Sequence, residues 1–343
     1  MSDFKSGLVL GNEIASGFFG KVFEATDPAH GLVAVKKLHQ YDGESDKAWA
    51  IRKETLLDEA QRLVLAEHAN IVRVHQIVRH ASDDTLYLVM EFCHGGSLQQ
   101  AFETGPLSLH TARKVSSETL LGLGALHARD MLHRDIKPGN LLLDKHGAVK
   151  IGDFGLVTDD LILGYGSYAG YLNHLAPEVF ENKITSMKSD VWAVAMTIYR
   201  LLHGRQWCLS NMGNTAEDVK RGGYAQRLNW LPHIPDSWRR VLRKAMHDDT
   251  TQRYQNAEQF LNAISSLECD PDWQCVVGAG HTSWERKSAN RHFKVKWTEH
   301  SSKKHEWSAT SYPLADGNKR NLGAAIGSKS DCLRALTNFF ASA

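Results

Sequence analysis

The chain has 343 residues, 42% hydrophobic and 23% charged, with 40 Lys and Arg against 39 Asp and Glu for a formal charge of +1. These proportions, with nine tryptophans, exclude collagen, coiled coil and a disordered chain, and the length suggests about two domains. No apolar run reaches the roughly eighteen residues of a membrane span, the start lacks a secretory signal, and the cysteines at 93, 208, 269, 275 and 332 form no CxxC pair, so a cytoplasmic protein with reduced thiols, away from membranes, is expected.

The chain opens with short β-like runs at 8–14, 21–25 and 32–38, and two more follow at 71–78 and 85–92. Between the third and fourth, Leu56, Leu57, Ala60, Leu63, Val64 and Leu65 recur at near-helical spacing, which predicts one helix over 51–67. After Gly95-Gly96 the pattern turns helical, most clearly at 109–129, 190–202, 237–246 and 256–267. That pattern stops at Cys269-Asp270-Pro271, where the charge changes sign: residues 1–269 hold 29 basic and 32 acidic side chains, residues 270–343 hold 11 and 7. The tail also carries Trp273, Trp284, Trp297 and Trp307, too aromatic for disorder. In it Phe293, Val295 and Trp297 alternate with His292, Lys294 and Lys296, predicting a half-buried strand. A second strand at 306–312 can pair with it across a turn at 300–305, and 329–341 reads as an amphipathic helix. The expected architecture is α+β: a β-rich lobe over 1–92, an α-rich lobe over 93–269, and a small basic, Trp-rich α+β appendage over 270–343. Internal repeats and low-complexity tracts are absent from the sequence.

Chemistry concentrates in four places. Ile14 to Val22 links two predicted strands, and Gly17 and Gly20 there allow backbone N–H groups to approach phosphate oxygens, although two glycines also suit a plain turn. Val33-Ala34-Val35-Lys36 puts an ammonium on an apolar strand, where it needs a carboxylate or phosphate partner. Glu59, on the helix face defined by Leu56 and Leu63, can supply the carboxylate or can simply be solvated. His133-Arg134-Asp135-Ile136-Lys137-Pro138-Gly139-Asn140 is followed after twelve residues by Asp153-Phe154-Gly155, and then by Leu175-Ala176-Pro177-Glu178. In order and spacing these resemble the catalytic loop, D-F-G and A-P-E signatures of the protein kinase family, over about residues 8–267. The nearest likeness is to eukaryotic-like Ser/Thr protein kinases.

That resemblance implies a two-lobed fold and an ATP- and Mg²⁺-dependent enzyme that phosphorylates Ser or Thr of a protein, itself included. It implies that Asp135 orients the substrate hydroxyl, Lys137 contacts the transferring phosphate, and Asn140 and Asp153 hold Mg²⁺. Lys36 would grip the phosphates and pair with Glu59, while Ala15, Gly17 and Gly20 would form the loop over them. Val22, Ala34 and Leu142 would sandwich adenine, Met90 would guard the back of its pocket, and Glu91 to Cys93 would offer hinge backbone groups. Leu63, Val74, Phe154 and His133 would stack as a hydrophobic column, Asp190 would cap the catalytic loop from below, and Glu178 would pair with Arg253. Two departures stand out. Ala15 replaces the first loop glycine, and Gly170-Tyr171-Leu172-Asn173-His174 replaces the family's G-T-x-x-Y, which implies an unusual acceptor groove. Arg134 suggests control by phosphorylation, with Ser167 and Thr158 as candidates. These departures keep open a pseudokinase or binding scaffold as one alternative, and a kinase-fold enzyme acting on a small molecule is a second. Besides the protein substrate, residues 270–343 are a candidate docking or regulatory surface, and nucleic acid is not an expected partner.

Overall fold

The computed structural model describes residues 7–17, 20–40, 43–79, 85–153, 174–213 and 215–342. Strands β1 (Val9–Gly17), β2 (Gly20–Asp27), β3 (Gly31–Leu38), β4 (Val74–Arg79) and β5 (Leu86–Glu91) form an antiparallel sheet in the order β1-β2-β3-β5-β4. Val33, Val35 and Val89 are fully buried in it. The helix α1 (Asp46–Leu65) lays Leu56, Ala60 and Leu63 inward and packs against β4. It starts earlier than the apolar periodicity predicts, because the Ser45 side chain accepts from Ala48 N at 3.2 Å and caps a first turn that holds Asp46. Strand β4 likewise begins at Val74 and not at 71. Val72 N donates to Ile151 O, and Ile151 N to Asn70 O, both at 2.9 Å, so this stretch stitches the sheet to the second lobe instead of extending the strand.

The second lobe contains α2 (Leu98–Thr104), α3 (Leu109–His127), a 3₁₀ turn at Pro138–Asn140, the short hairpin β6 (Leu141–Leu143) and β7 (Val149–Ile151), then α4 (Pro177–Asn182), α5 (Met187–Asn211), α6 (Thr215–Lys220), α7 (Tyr224–Arg227), α8 (Asp236–Ala245) and α9 (Ala257–Ser265). Helix α5 is the axis of the lobe: Val191 to Tyr199 are buried on every side, and Ser186 with Ser189 closes a capping box at its start. It runs past the expected end at 202 to Asn211 through Gly204, whose φ of 72° and close approach to Gly105 and Pro106 leave no room for a Cβ.

Five antiparallel strands follow, β8 (Gln274–Gly278), β9 (His281–Lys287), β10 (Arg291–Ser301), β11 (Lys304–Pro313) and β12 (Arg320–Gly327), in the order β12-β11-β10-β9-β8, with α10 (Lys329–Ser342) across one face. The predicted hairpin is thus the centre of a larger sheet, and its turn is tighter than expected because His300 and His305 lie within the strands. Trp297 stands opposite Trp307 on the inner face, where α10 contributes Leu336 and Phe340. The region shares its core with the helical lobe: Trp284 Nε1 donates to His233 Nδ1 at 2.9 Å, and both side chains lie within about 6 Å of the Phe340 ring centroid. Among the described residues no helix is long and apolar enough to cross a membrane.

Candidate active site

The site lies where β3, the 3₁₀ turn and β7 converge. Residues 133–140 form a loop held from beneath by Asp190 near the start of α5. Its Oδ2 accepts from His133 N at 2.9 Å and from His127 Nε2 at 2.9 Å, and its Oδ1 accepts from Arg134 N at 2.8 Å. Burial pushes the Asp190 carboxyl up, but the hydrogen bond and charge of His127 outweigh it and hold the group below its ordinary range. The expected capping role is present, and His127, which sequence reasoning did not single out, shares it. These bonds keep Arg134 at a left-handed φ of 68°, a conformation that a long side chain rarely adopts without support.

His133 is fully buried, and its tautomer follows from its partners. Gly152 O can only accept, so Nε2 carries the proton at 3.1 Å, and Nδ1 accepts from Asp135 N at 3.2 Å. Burial lowers its pKa, and a neutral ring wedged under the loop is a structural post, as expected. It sets the direction of the Asp135 backbone.

Around Asp135 the geometry is dense. Its Oδ2 accepts from Lys137 Nζ at 2.7 Å and Asn140 Nδ2 at 2.9 Å, and Asn140 Nδ2 also reaches Asp135 O at 2.8 Å. Burial raises the Asp135 pKa against the pull of Lys137. Across the cleft the buried Lys36 donates from Nζ to Asp153 Oδ1, a contact bridging 117 positions of sequence. Burial drives the Asp153 carboxyl up and Lys36 more than reverses it, leaving the pKa lowered. Asp153 takes a φ of 58°, which turns its side chain out of the β7 direction. Glu59 belongs to α1, but its side chain lies outside the described residues, as do Phe154, Thr158, Ser167 and Tyr171.

Of the residues expected around adenine, Val22, Ala34 and Met90 lie on β2, β3 and β5 of the first sheet and Leu142 lies on β6. Val22, Ala34, Cys93 and Leu142 are half-buried, Met90 is buried between β3 and β4, and Ala15 pairs with Val22 on the exposed β1–β2 ribbon. Gly17 pairs with Gly20, whose φ of 123° and contact with Lys37 O exclude a Cβ. The start of the hinge is braced: Glu91 N donates to Arg73 O at 2.9 Å, while its carboxylate accepts from Arg73 N at 2.7 Å and Lys150 Nζ at 2.8 Å. Burial pushes the Cys93 thiol up to about 12, so it acts there as a neutral surface. Leu63, Val74 and His133, expected in the hydrophobic column, are each buried. Farther down, Arg253 forms the expected double hydrogen bond to Glu178, at 2.7 Å for both contacts.

Comparison with known proteins accords with this geometry. Residues 8–263 match the model of the protein kinase domain. The chain is 28% identical over 255 residues to the serine/threonine-protein kinase PrkC of Bacillus subtilis, covering 72% of this chain and 38% of that protein. It is 33% identical over 207 residues to CBL-interacting protein kinase 9 of Oryza sativa, covering 57% and 43%, and 28% identical over 298 residues to the serine/threonine-protein kinase TOS3 of Saccharomyces cerevisiae, covering 79% and 51%. The chain therefore spans about half or less of the length of these relatives, and residues 264–343 lie outside the family match. With the match spanning both lobes and the whole cleft between them, the chain belongs to the protein kinase family.

Proposed function

We propose that the chain is a Ser/Thr protein kinase that transfers the γ-phosphate of ATP, with Mg²⁺, to a protein hydroxyl. The family uses ATP and Mg²⁺ and acts on proteins, and the relatives compared above are named kinases. The observation that carries the reading is the Asp135 carboxylate, with Oδ2 taken by Lys137 and Asn140, which leaves Oδ1 to accept a hydroxyl proton. Lys137 then balances charge that spreads over the transferring phosphoryl oxygens, and Lys36 holds the phosphates behind it.

The donor set fits a hard cation. Asn140 spends its amide N–H on Asp135, so its amide oxygen remains for a ligand, and Asp153 supplies a carboxylate that is more than a third exposed. Bound there, Mg²⁺ neutralises phosphate charge. The half-buried Val22, Ala34 and Leu142 would hold the base, with Met90 behind it and Ala15, Gly17 and Gly20 over the phosphates. We divide the chain into lobes 1–92 and 93–269 with an appendage at 270–343 that serves docking or regulation.

The test is incubation of wild type, Asp135→Ala and Asp153→Asn with labelled ATP and Mg²⁺, followed by mass-spectrometric site mapping. Label on Ser or Thr in the wild type, reduced about 10²–10⁴-fold in Asp135→Ala, is expected. Equal labelling by all three chains would refute the residue roles, and no nucleotide binding by the wild type would favour a scaffold.

A further inference from the structure

Arg200 lies one turn beyond Thr197 on α5, and its guanidinium is held from two sides. Nη1 donates to His174 Nε2 at 2.7 Å, and Cζ lies 4.5 Å from the centroid of the Phe102 ring on α2. A guanidinium only donates, so His174 presents a lone pair at Nε2 and is neutral with its proton on Nδ1. Burial, then the charge of Arg200, holds its pKa well below the ordinary range. The other groups that face Arg200 are the Cys208 thiol, with its pKa pushed up to about 12, and the Tyr224 phenol.

Among the described residues no carboxylate pairs with Arg200, although its side chain is largely buried and its Nε has no hydrogen-bond partner. Three lysines of the cleft, by contrast, have carboxylate partners: Lys36 with Asp153, Lys137 with Asp135, Lys150 with Glu91. Burying a cation without a counter-charge is unfavourable, and an anion arriving from outside relieves it. Its position decides which anion. Thr197 Oγ1 donates to Ile136 O at 3.2 Å, between Asp135 and Lys137. One helical turn and an arginine side chain beyond it put the guanidinium roughly 10 Å from the Asp135 backbone. His174, its partner, is the last residue of the segment where the sequence departs from the family's pattern, and it immediately precedes Leu175-Ala176-Pro177-Glu178.

We infer that Arg200 selects protein substrates with an acidic residue about two to four positions from the acceptor hydroxyl, the reach of an extended peptide at about 3.4 Å per residue. This rests on the kinase reading above, and the test separates the two. Peptides with one acceptor Ser and with Asp or Lys placed in turn at each neighbouring position are compared by kcat/KM. At one position in that range the wild type is expected to favour Asp over Lys by about tenfold or more, less so at high salt. In Arg200→Gln, which keeps an N–H for His174 without the charge, the ratio falls to about unity, and in Arg200→Lys it persists. Because the ratio is internal to each variant, a general loss of activity cancels. An unchanged ratio in Arg200→Gln, or a wild type that labels itself but favours Asp nowhere, refutes the selection alone. A wild type that labels neither peptide nor itself removes the kinase reading and this inference with it.

Discussion

Replacing Arg253 with Met isolates the buried ion pair that ties the segment at Glu178 to the end of the helical lobe. The arginine is 2% exposed, and it gives both Nη groups to Glu178 at 2.7 Å, Nη1 to Lys188 O at 3.1 Å, Nη2 to Asp248 O at 3.2 Å and Nε to His247 O, with Cζ 4.9 Å from the Trp192 ring centroid. Methionine keeps much of the stem over Trp192 but strands the carboxylate, whose side chain is 16% exposed, together with three carbonyls. Removing one partner of such a pair costs about 3–5 kcal/mol, a large part of a domain's roughly 5–15 kcal/mol. Glu178→Gln should cost about as much, because it leaves the fully buried guanidinium charge uncompensated and turns an amide N–H toward one of its donors. Arg253→Met combined with Glu178→Leu should be more stable than the sum of the single changes by about 2 kcal/mol or more, since no charge is left unpaired. Urea unfolding followed by tryptophan fluorescence measures all of these. If Arg253→Met costs under about 1 kcal/mol, or the double change is additive, the pair is not the anchor described here.

Gly20→Ala forces a side chain into a left-handed position against Lys37 O, and should weaken ATP binding at least several-fold, read by nucleotide titration, while leaving the unfolding of the helical lobe unchanged. Acidification should destabilise the fold through His203 and His233. His203 donates to Tyr199 O and accepts from Leu231 N, His233 accepts from Trp284, and burial lowers both pKa values to about 3. The unfolded imidazoles bind protons near pH 6.5 and the folded ones do not, so their full stabilisation stands above that value and declines as pH falls toward 3. Between pH 7 and 5 each loses roughly 2 kcal/mol. Urea midpoints across that range should fall less steeply in His233→Gln than in the wild type, and an identical slope would show that His233 is not neutral in the fold. Trp284→Phe removes the bond to His233 and leaves part of a fully buried indole's space empty, and should lower stability by about 2–3 kcal/mol by urea unfolding. A larger share of the loss in residues 270–343 by hydrogen exchange is expected, and a loss confined to the first lobe would contradict the shared core.

The catalytic loop was legible because its chemistry is local. Asp135, Lys137 and Asn140 lie within six residues, and a 3₁₀ turn at Pro138–Asn140 brings their side chains onto one carboxylate without help from distant sequence. The apolar run around Val33-Ala34-Val35 marked β3, and the apolar spacing of Leu56, Ala60 and Leu63 marked the buried face of α1, because each element has apolar side chains to hide. Strand β12 left no such mark. Gly323 is small because Trp307 from the neighbouring strand fills the space that a Cβ would take, so the period-two signal sits on the partner. The sequence alone therefore determined the family, the two lobes and the residues of the catalytic loop, since short-range spacing encodes them. Only the tertiary structure decided that Asp153 meets Lys36, that His127 shares Asp190 with the catalytic loop, that Trp284 bonds His233 so that the last sheet has no core of its own, and that Arg200 meets a neutral histidine and no carboxylate. Each of these depends on which faces of distant elements come together, and no local pattern records that.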